Sequence, residues 1–182
     1  MPAERERALV ASARESAAAF GELYDFYLPR VYGFVYRRVR DRAVAEDLTS
    51  VTFQRALENV RRSDFRNESF GGWLYRVASN AVVDHVRRDR RYVPMTNIDE
   101  DAPGDMALDA LAAALDRDQL RRALKSLPEN HREVLVLRFY DDLDTAEMCA
   151  VLGCSRETLA VRVHRALRAL RTALTQESVD VA

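Results

Sequence analysis

Two sets of residues in this sequence have the types and spacing to bind nucleic acid. In the first, Glu157, Thr158, Val161, Arg165 and Arg168 share one helical arc, with Arg162 at its edge. Carboxylate, hydroxyl, methyl and guanidinium groups on one face match the edges and phosphates of a DNA duplex. In the second, Arg76, Asn80, Val83 and Arg87 recur at spacings of four, three and four, with Trp73 and Asp84 at one margin. An amide, an indole and guanidiniums suit unpaired bases, since rings stack on bases and arginines follow the backbone. Trp73 by itself suits a core position equally well. Arg87, Arg88, Arg90 and Arg91 extend this stripe as a phosphate-facing cluster.

Reactive chemistry has no comparable basis. His85, His131 and His164 lack metal-ligand spacing, and the chain has no glycine-rich phosphate loop and no nucleophile motif. Cys149 and Cys154 match no zinc pattern and read as small core hydrophobes; a redox role has no support in the sequence. No catalytic residue, metal or cofactor is expected.

The elements that must hold these residues are helical. In DTAEMCAVLGCSRETLAVRVHRALRAL, residues 144–170, a short helix carries Ala146, Met148, Cys149 and Leu152. Gly153 stands where a sharp turn needs positive φ, and Ser155 is suited to cap the next helix. That helix places Leu159, Val163, Ala166, Leu167 and Leu170 toward a core. The pattern is a helix-turn-helix, whose second helix enters the major groove by its N-terminal residues.

The rest of the 182 residues is poor in glycine and proline and rich in Ala, Leu, Arg and Glu, so an all-α protein is expected. No apolar run approaches the roughly 20 residues needed to cross a bilayer. MPAERERALVASARES is too charged for a secretory signal, so a cytoplasmic protein without membrane insertion of its own is expected. The net charge of −1 hides segregation: Arg76 to Arg91 and Arg156 to Arg171 are basic, and Asn97 to Asp109 is acidic.

Taken in order, residues 4–19 form an Ala-rich helix, and Phe20 to Val39 is aromatic-rich, with Pro29 suited to a first helical turn. Asp41 to Val60 is a long helix whose apolar arc changes sides, from Val44, Leu48 and Val51 to Phe53, Leu57 and Val60. Between the arcs Asp47, Gln54 and Glu58 form a polar stripe, either a docking surface or plain solvated face. Residues 61–72 are a loop rich in donors and acceptors, Arg66 and Asn67 among them. Trp73 to Arg91 buries Leu74, Val77, Ala78, Ala81, Val82 and Val86. The expected architecture is two small helical domains, residues 1–92 and 118–182, joined by an acidic flexible linker over 93–117. The second domain has four helices and a polar tail that frays after Leu174.

These stretches resemble the bacterial sigma factors of the extracytoplasmic-function type. AVAEDLTSVTFQRAL (43–57) is similar to that family's polymerase-binding helix, FGGWLYRVASNAVVDHVRR (70–88) to its promoter −10 helix, and residues 127–171 to its −35 domain. The resemblance implies that Glu46, Asp47, Leu48, Thr49 and Phe53 dock on core RNA polymerase. It implies that Trp73, Arg76, Asn80 and Asp84, with Arg87 and Arg88, open and read the −10 element, while the loop with Arg66 and Asn67 holds a base turned out of the stack. Ser155, Arg156, Glu157, Thr158, Val161, Arg162 and Arg165 would serve the −35 duplex, and the acidic linker would run through polymerase toward the RNA path. Core polymerase, promoter DNA and an anti-sigma factor are the implied partners. This chain departs from the family pattern at Ala160 and Val161, where a polar pair is usual, at Ser50 for a common Gln, and at Cys149 for Ala. The alternative is a regulator that binds DNA only through the helix-turn-helix and uses its first domain to sense a ligand or dimerise. The Trp73 to Arg91 face separates the two, because a sensor domain does not need it.

Overall fold

In a computed structural model of the protein, described here for residues 1–62, 69–89 and 117–180, the secondary structure is helical throughout. The helices are α1 (Ala3–Ser12), α2 (Ala17–Val39), α3 (Arg42–Arg62), α4 (Phe70–Asp89), α5 (Arg117–Ser126), α6 (Glu129–Phe139), α7 (Thr145–Leu152) and α8 (Arg156–Asp180). They form two compact units, the first centred on α1 to α4 and the second on α5 to α8. The expected linker, and the loop holding Arg66 and Asn67, lie outside the described residues apart from the ends of each.

In the first unit α2 is the hub, packed against α1, α3 and α4. Its buried residues Leu23, Tyr27, Val31, Phe34 and Val35 share the core with the buried Phe53, Ala56 and Val60 of α3 and Phe70, Leu74, Tyr75 and Ala78 of α4. Full burial of side chains such as Leu23, Phe34 and Leu74 contributes about 1.5–3 kcal/mol each. Aromatic edges add direction: Phe34 meets Tyr75 at 5.3 Å between ring centres, and Tyr24 meets Phe53 at 4.8 Å.

Three expectations for this unit are corrected. The helix expected over residues 4–19 is two helices, because Ser16 adopts extended backbone and its hydroxyl accepts from the Ala19 N–H at 3.3 Å, starting α2 afresh. Pro29 does not begin a helix but sits inside α2, at an exposed position where the packed face lies on other sides of the turn. The apolar face of α3 does not change sides. Its buried residues are Ala45, Thr49, Thr52, Phe53, Ala56 and Val60, on one arc. Small residues let α3 approach its neighbours closely, and the Thr52 hydroxyl is satisfied by donating to the Leu48 carbonyl at 2.7 Å.

In the second unit α8 packs against α5 and α6. Leu120, Ala123, Leu124 and Leu127 point inward as expected, with Val134, Leu135, Val136 and Leu137 from α6. Leu159, Ala166 and Leu170 of α8 complete the core, but Leu167 is 41% exposed, at the margin of the buried arc. Helix α8 continues past Leu174 to Asp180.

Candidate nucleic-acid interface

The turn between α7 and α8 is built by backbone chemistry. Asp144 caps α7 through Oδ1, which accepts from the Ala146 and Glu147 N–H groups at 2.7 and 2.9 Å. Glu147 reaches back to accept from the Asp144 N–H at 2.8 Å, a reciprocal capping box. The pattern Asp-x-x-Glu is visible in the sequence as Asp144 and Glu147. Gly153 then takes φ 58° and ψ 40°, the left-handed conformation that ends a helix. The Cys154 N–H closes the turn on the Cys149 carbonyl at 3.2 Å. Ser155 caps α8 as expected, its Oγ accepting from the Thr158 N–H at 3.3 Å.

These caps aim the first turns of α8 outward. Arg156, Glu157, Thr158, Ala160, Arg162, Arg165 and Arg168 are exposed, and Val161 is 49% exposed. A valine so uncovered offers its methyls to a groove, where a thymine methyl is the matching surface. A hydrogen bond with the Ser155 hydroxyl, then the residue's own backbone N–H, hold the Glu157 carboxyl below its usual range. Burial, then the neighbouring Cys154, push the Cys149 thiol up. Cys149 and Cys154 are both half-buried, so neither is the core residue that the sequence suggested.

The second candidate face lies on α4. Leu74, Tyr75, Ala78, Ala81 and Val82 are buried, and Val77 and Val86 are half-buried. Tyr75, at 1% exposure, is a core residue that the sequence pattern missed. The opposite face exposes Arg76, Asn80, Asp84, Arg87 and Arg88, with Val83 at 42%. Trp73 is half-buried, between the two roles the sequence left open. Arg88 turns back along its own helix, its Nε donating to the Asp84 carbonyl at 3.1 Å.

The residues suggested for polymerase docking divide. Glu46 and Asp47 are exposed and Leu48 is half-buried, beside Val51 at 39% exposure. Thr49 and Phe53 face inward at 3% and 5% exposure, so they hold the helix in place from beneath. An outward ridge of Val44, Leu48 and Val51 flanked by Asp47, Gln54 and Glu58 therefore replaces the alternating face read from the sequence. Among the described residues no group of three or more His, Cys, Asp or Glu side chains is placed to hold a metal ion, and no helix is long and apolar enough to cross a membrane.

Comparison with known proteins meets this geometry at both units. Residues 23–92 match the family model for Sigma-70 region 2, and residues 117–170 match that for Sigma-70 region 4. The chain is 36% identical over 169 residues to the ECF RNA polymerase sigma factor BldN of Streptomyces coelicolor, covering 89% of this chain and spanning 62% of that protein's length. It is 31% identical to the ECF RNA polymerase sigma factor SigK of Mycobacterium tuberculosis, covering 86% of each chain. SigW of Bacillus subtilis, another ECF RNA polymerase sigma factor, is 29% identical over 86% of this chain and 89% of its own. Among solved structures, CnrH in complex with the cytosolic domain of CnrY superposes with a TM-score of 0.59 at 25% identity, over 94% of this chain and 98% of that one. The sigma factor RpoE of Bartonella quintana, in complex with the anti-sigma factor NepR, shares the fold with a TM-score of 0.57 at 22% identity, over 86% and 96% of the two chains. The chain belongs to the extracytoplasmic-function family of RNA polymerase sigma factors.

Proposed function

We propose that this protein is a promoter-specificity factor that binds core RNA polymerase and directs initiation by gripping one promoter at two points. The observation that carries the reading is the exposed face of α4, with Arg76, Asn80 and Arg87 outside and Leu74, Tyr75 and Ala78 inside. A regulator that used the helix-turn-helix alone would have no use for that face.

In this reading α8 docks in the major groove of the −35 element through Arg156, Glu157, Thr158, Val161, Arg162 and Arg165, with Ser155 at the helix start. The face of α4 meets the −10 element as its bases leave the stack. Turning a base out costs a few kcal/mol, and stacking on an aromatic platform returns about 1–3 kcal/mol per base. Trp73 is the platform, Asn80 reads a base edge, and Arg76, Arg87 and Arg88 follow phosphates, with Asp84 at the margin and Arg66 and Asn67 from the preceding loop. Melting is then differential binding, because the exposed base is held better than the paired one. Glu46, Asp47 and Leu48 present the docking face to polymerase, backed by Thr49 and Phe53. The protein acts by binding and performs no reaction of its own. It works in the cytoplasm beside polymerase, held at times by an anti-sigma factor, as the RpoE structure holds NepR. Residues 1–92 and 118–182 are the two binding domains, and the acidic stretch between them follows the path of the transcript.

Transcription by purified core polymerase, with and without the protein, tests the reading on genomic templates whose start sites are mapped. Initiation at a discrete promoter set only when the protein is present is the expected result. Repression of another factor's transcripts with no new start site would replace it with the operator-binding alternative.

A further inference from the structure

Helix α4 begins weakly. Its second and third residues are Gly71 and Gly72, the residue type of lowest helix propensity apart from proline. Every helix also starts with backbone N–H groups that lack a partner in the helix. Ser69 settles one, since its Oγ accepts from the Gly72 N–H at 3.0 Å. Two more are met from 64 and 65 residues away in the chain. Glu6 of α1 accepts from the Phe70 N–H through Oε1 at 2.9 Å and from the Gly71 N–H through Oε2 at 3.3 Å. The Tyr27 hydroxyl of α2 donates to the same carboxylate.

Glu6 is 6% exposed. A buried charged group is costly to the fold unless it is fully hydrogen-bonded. Here the bonds are present, and a carboxylate at a helix N-terminus also faces the positive end of the helix dipole. The effect is to tie α1, α2 and the first turn of α4 to one point. Trp73 is the fourth residue of α4, its N–H donating to the Ser69 carbonyl at 3.0 Å, and the exposed stripe begins with Arg76.

We propose that Glu6 is a positioning residue for −10 recognition: it anchors the first turn of α4, and with it Trp73, where an unpaired base is received. The proposal rests on the promoter-opening reading above. Glu6 lies before the residues matched by the region 2 family model, and nothing in its own sequence surroundings marks it, since an acidic residue in a first helical turn is ordinary.

The test uses the full chain assembled with core polymerase on a mapped promoter. Glu6→Gln keeps the shape but sets an amide donor against a backbone N–H and removes the charge. Affinity for a single-stranded −10 non-template oligonucleotide is expected to fall about tenfold, the scale of one lost charge-assisted hydrogen bond. Discrimination between matched and mismatched bases in that oligonucleotide falls with it, while affinity for a −35 duplex stays within about twofold. Measurements are made at a temperature where circular dichroism shows full helix content. Tyr27→Phe is the control: it removes one donor to Glu6 but leaves both N–H bonds to α4, and base discrimination is retained. Should Glu6→Gln not fold, Glu6→Asp, which keeps the charge but retracts it, shows the same loss in smaller measure. Unchanged −10 discrimination in the Glu6 variant, or an equal loss in Tyr27→Phe, would overturn the positioning role. A wild-type holoenzyme with no −10 discrimination would instead remove the promoter-opening reading, and the role of Glu6 with it.

Discussion

Asn80 sits mid-stripe on α4, exposed between Arg76 and Arg87. An amide there can pair with a base edge in both directions, which a guanidinium cannot. Asn80→Ala is expected to reduce the permanganate-reactive bubble at −10 about tenfold, the discrimination of one good bidentate contact, while −35 duplex binding persists. A bubble of normal intensity would take Asn80 out of base reading. At the other interface Arg165→Ala should weaken −35 binding and lower its log-log salt slope by about one unit, as for one lost phosphate contact. Glu157 gives a pH-resolved counterpart. Its folded carboxyl is more acidic than the ordinary value of 4.5, so it favours the folded state above that value. That contribution fades as pH falls through the lowered one. Ser155→Ala removes the first cause of the shift, and a carbon-13 carboxyl titration should show the Glu157 midpoint moving up toward the ordinary value. An unmoved midpoint would mean that the hydroxyl does not hold the carboxylate in solution.

The elements are set as much by their ends as by their faces. The turn before α8 depends on Gly153 at φ +58°, and a Cβ placed there meets nothing within 4 Å. The cost of Gly153→Ala is therefore backbone strain alone, about 1–2 kcal/mol. Urea unfolding of the full chain reads it, and a loss below about 0.5 kcal/mol would show that the turn relaxes to another conformation. Helix α3 teaches a different lesson. Hydropathy gave two apolar arcs, Val44, Leu48 and Val51 against Phe53, Leu57 and Val60, yet the packed arc is Ala45, Thr49, Thr52, Phe53, Ala56 and Val60. Alanine and threonine lie inside beside Phe53 and Val60 because the helices come close, and Val44, Leu48 and Val51 are left on the ridge.

That ridge belongs to the scale of the whole molecule, because its proposed use is assembly with polymerase. Val51 is 39% exposed, so Val51→Asp should leave the unfolding midpoint within about 0.5 kcal/mol of wild type. Its affinity for core polymerase should fall at least about tenfold, since a carboxylate would be buried against apolar surface. Pull-down with purified core polymerase and surface plasmon resonance both read the change. Full retention of binding would move the docking face elsewhere on the first unit. The molecule's net charge of −1 is no obstacle to binding DNA, because the stretches Arg76 to Arg91 and Arg156 to Arg171 are locally basic while the carboxylates between residues 97 and 109 stand apart in sequence.

The sequence alone determined that the chain is helical, that Gly153 and Ser155 make a turn and a cap, and that α4 and α8 each carry a basic face. Those features are local: they depend on 3.6-residue periodicity and on residues three or four apart, which a linear chain displays directly. Only the tertiary structure decided which apolar arc of α3 is covered, that α2 runs through Pro29, that Leu167 stays outside, and that Glu6 caps a helix 64 residues away. Each of these depends on which neighbour arrives from a distant part of the chain. Burial and long-range hydrogen bonds are properties of pairs of elements, and no single element records its partner.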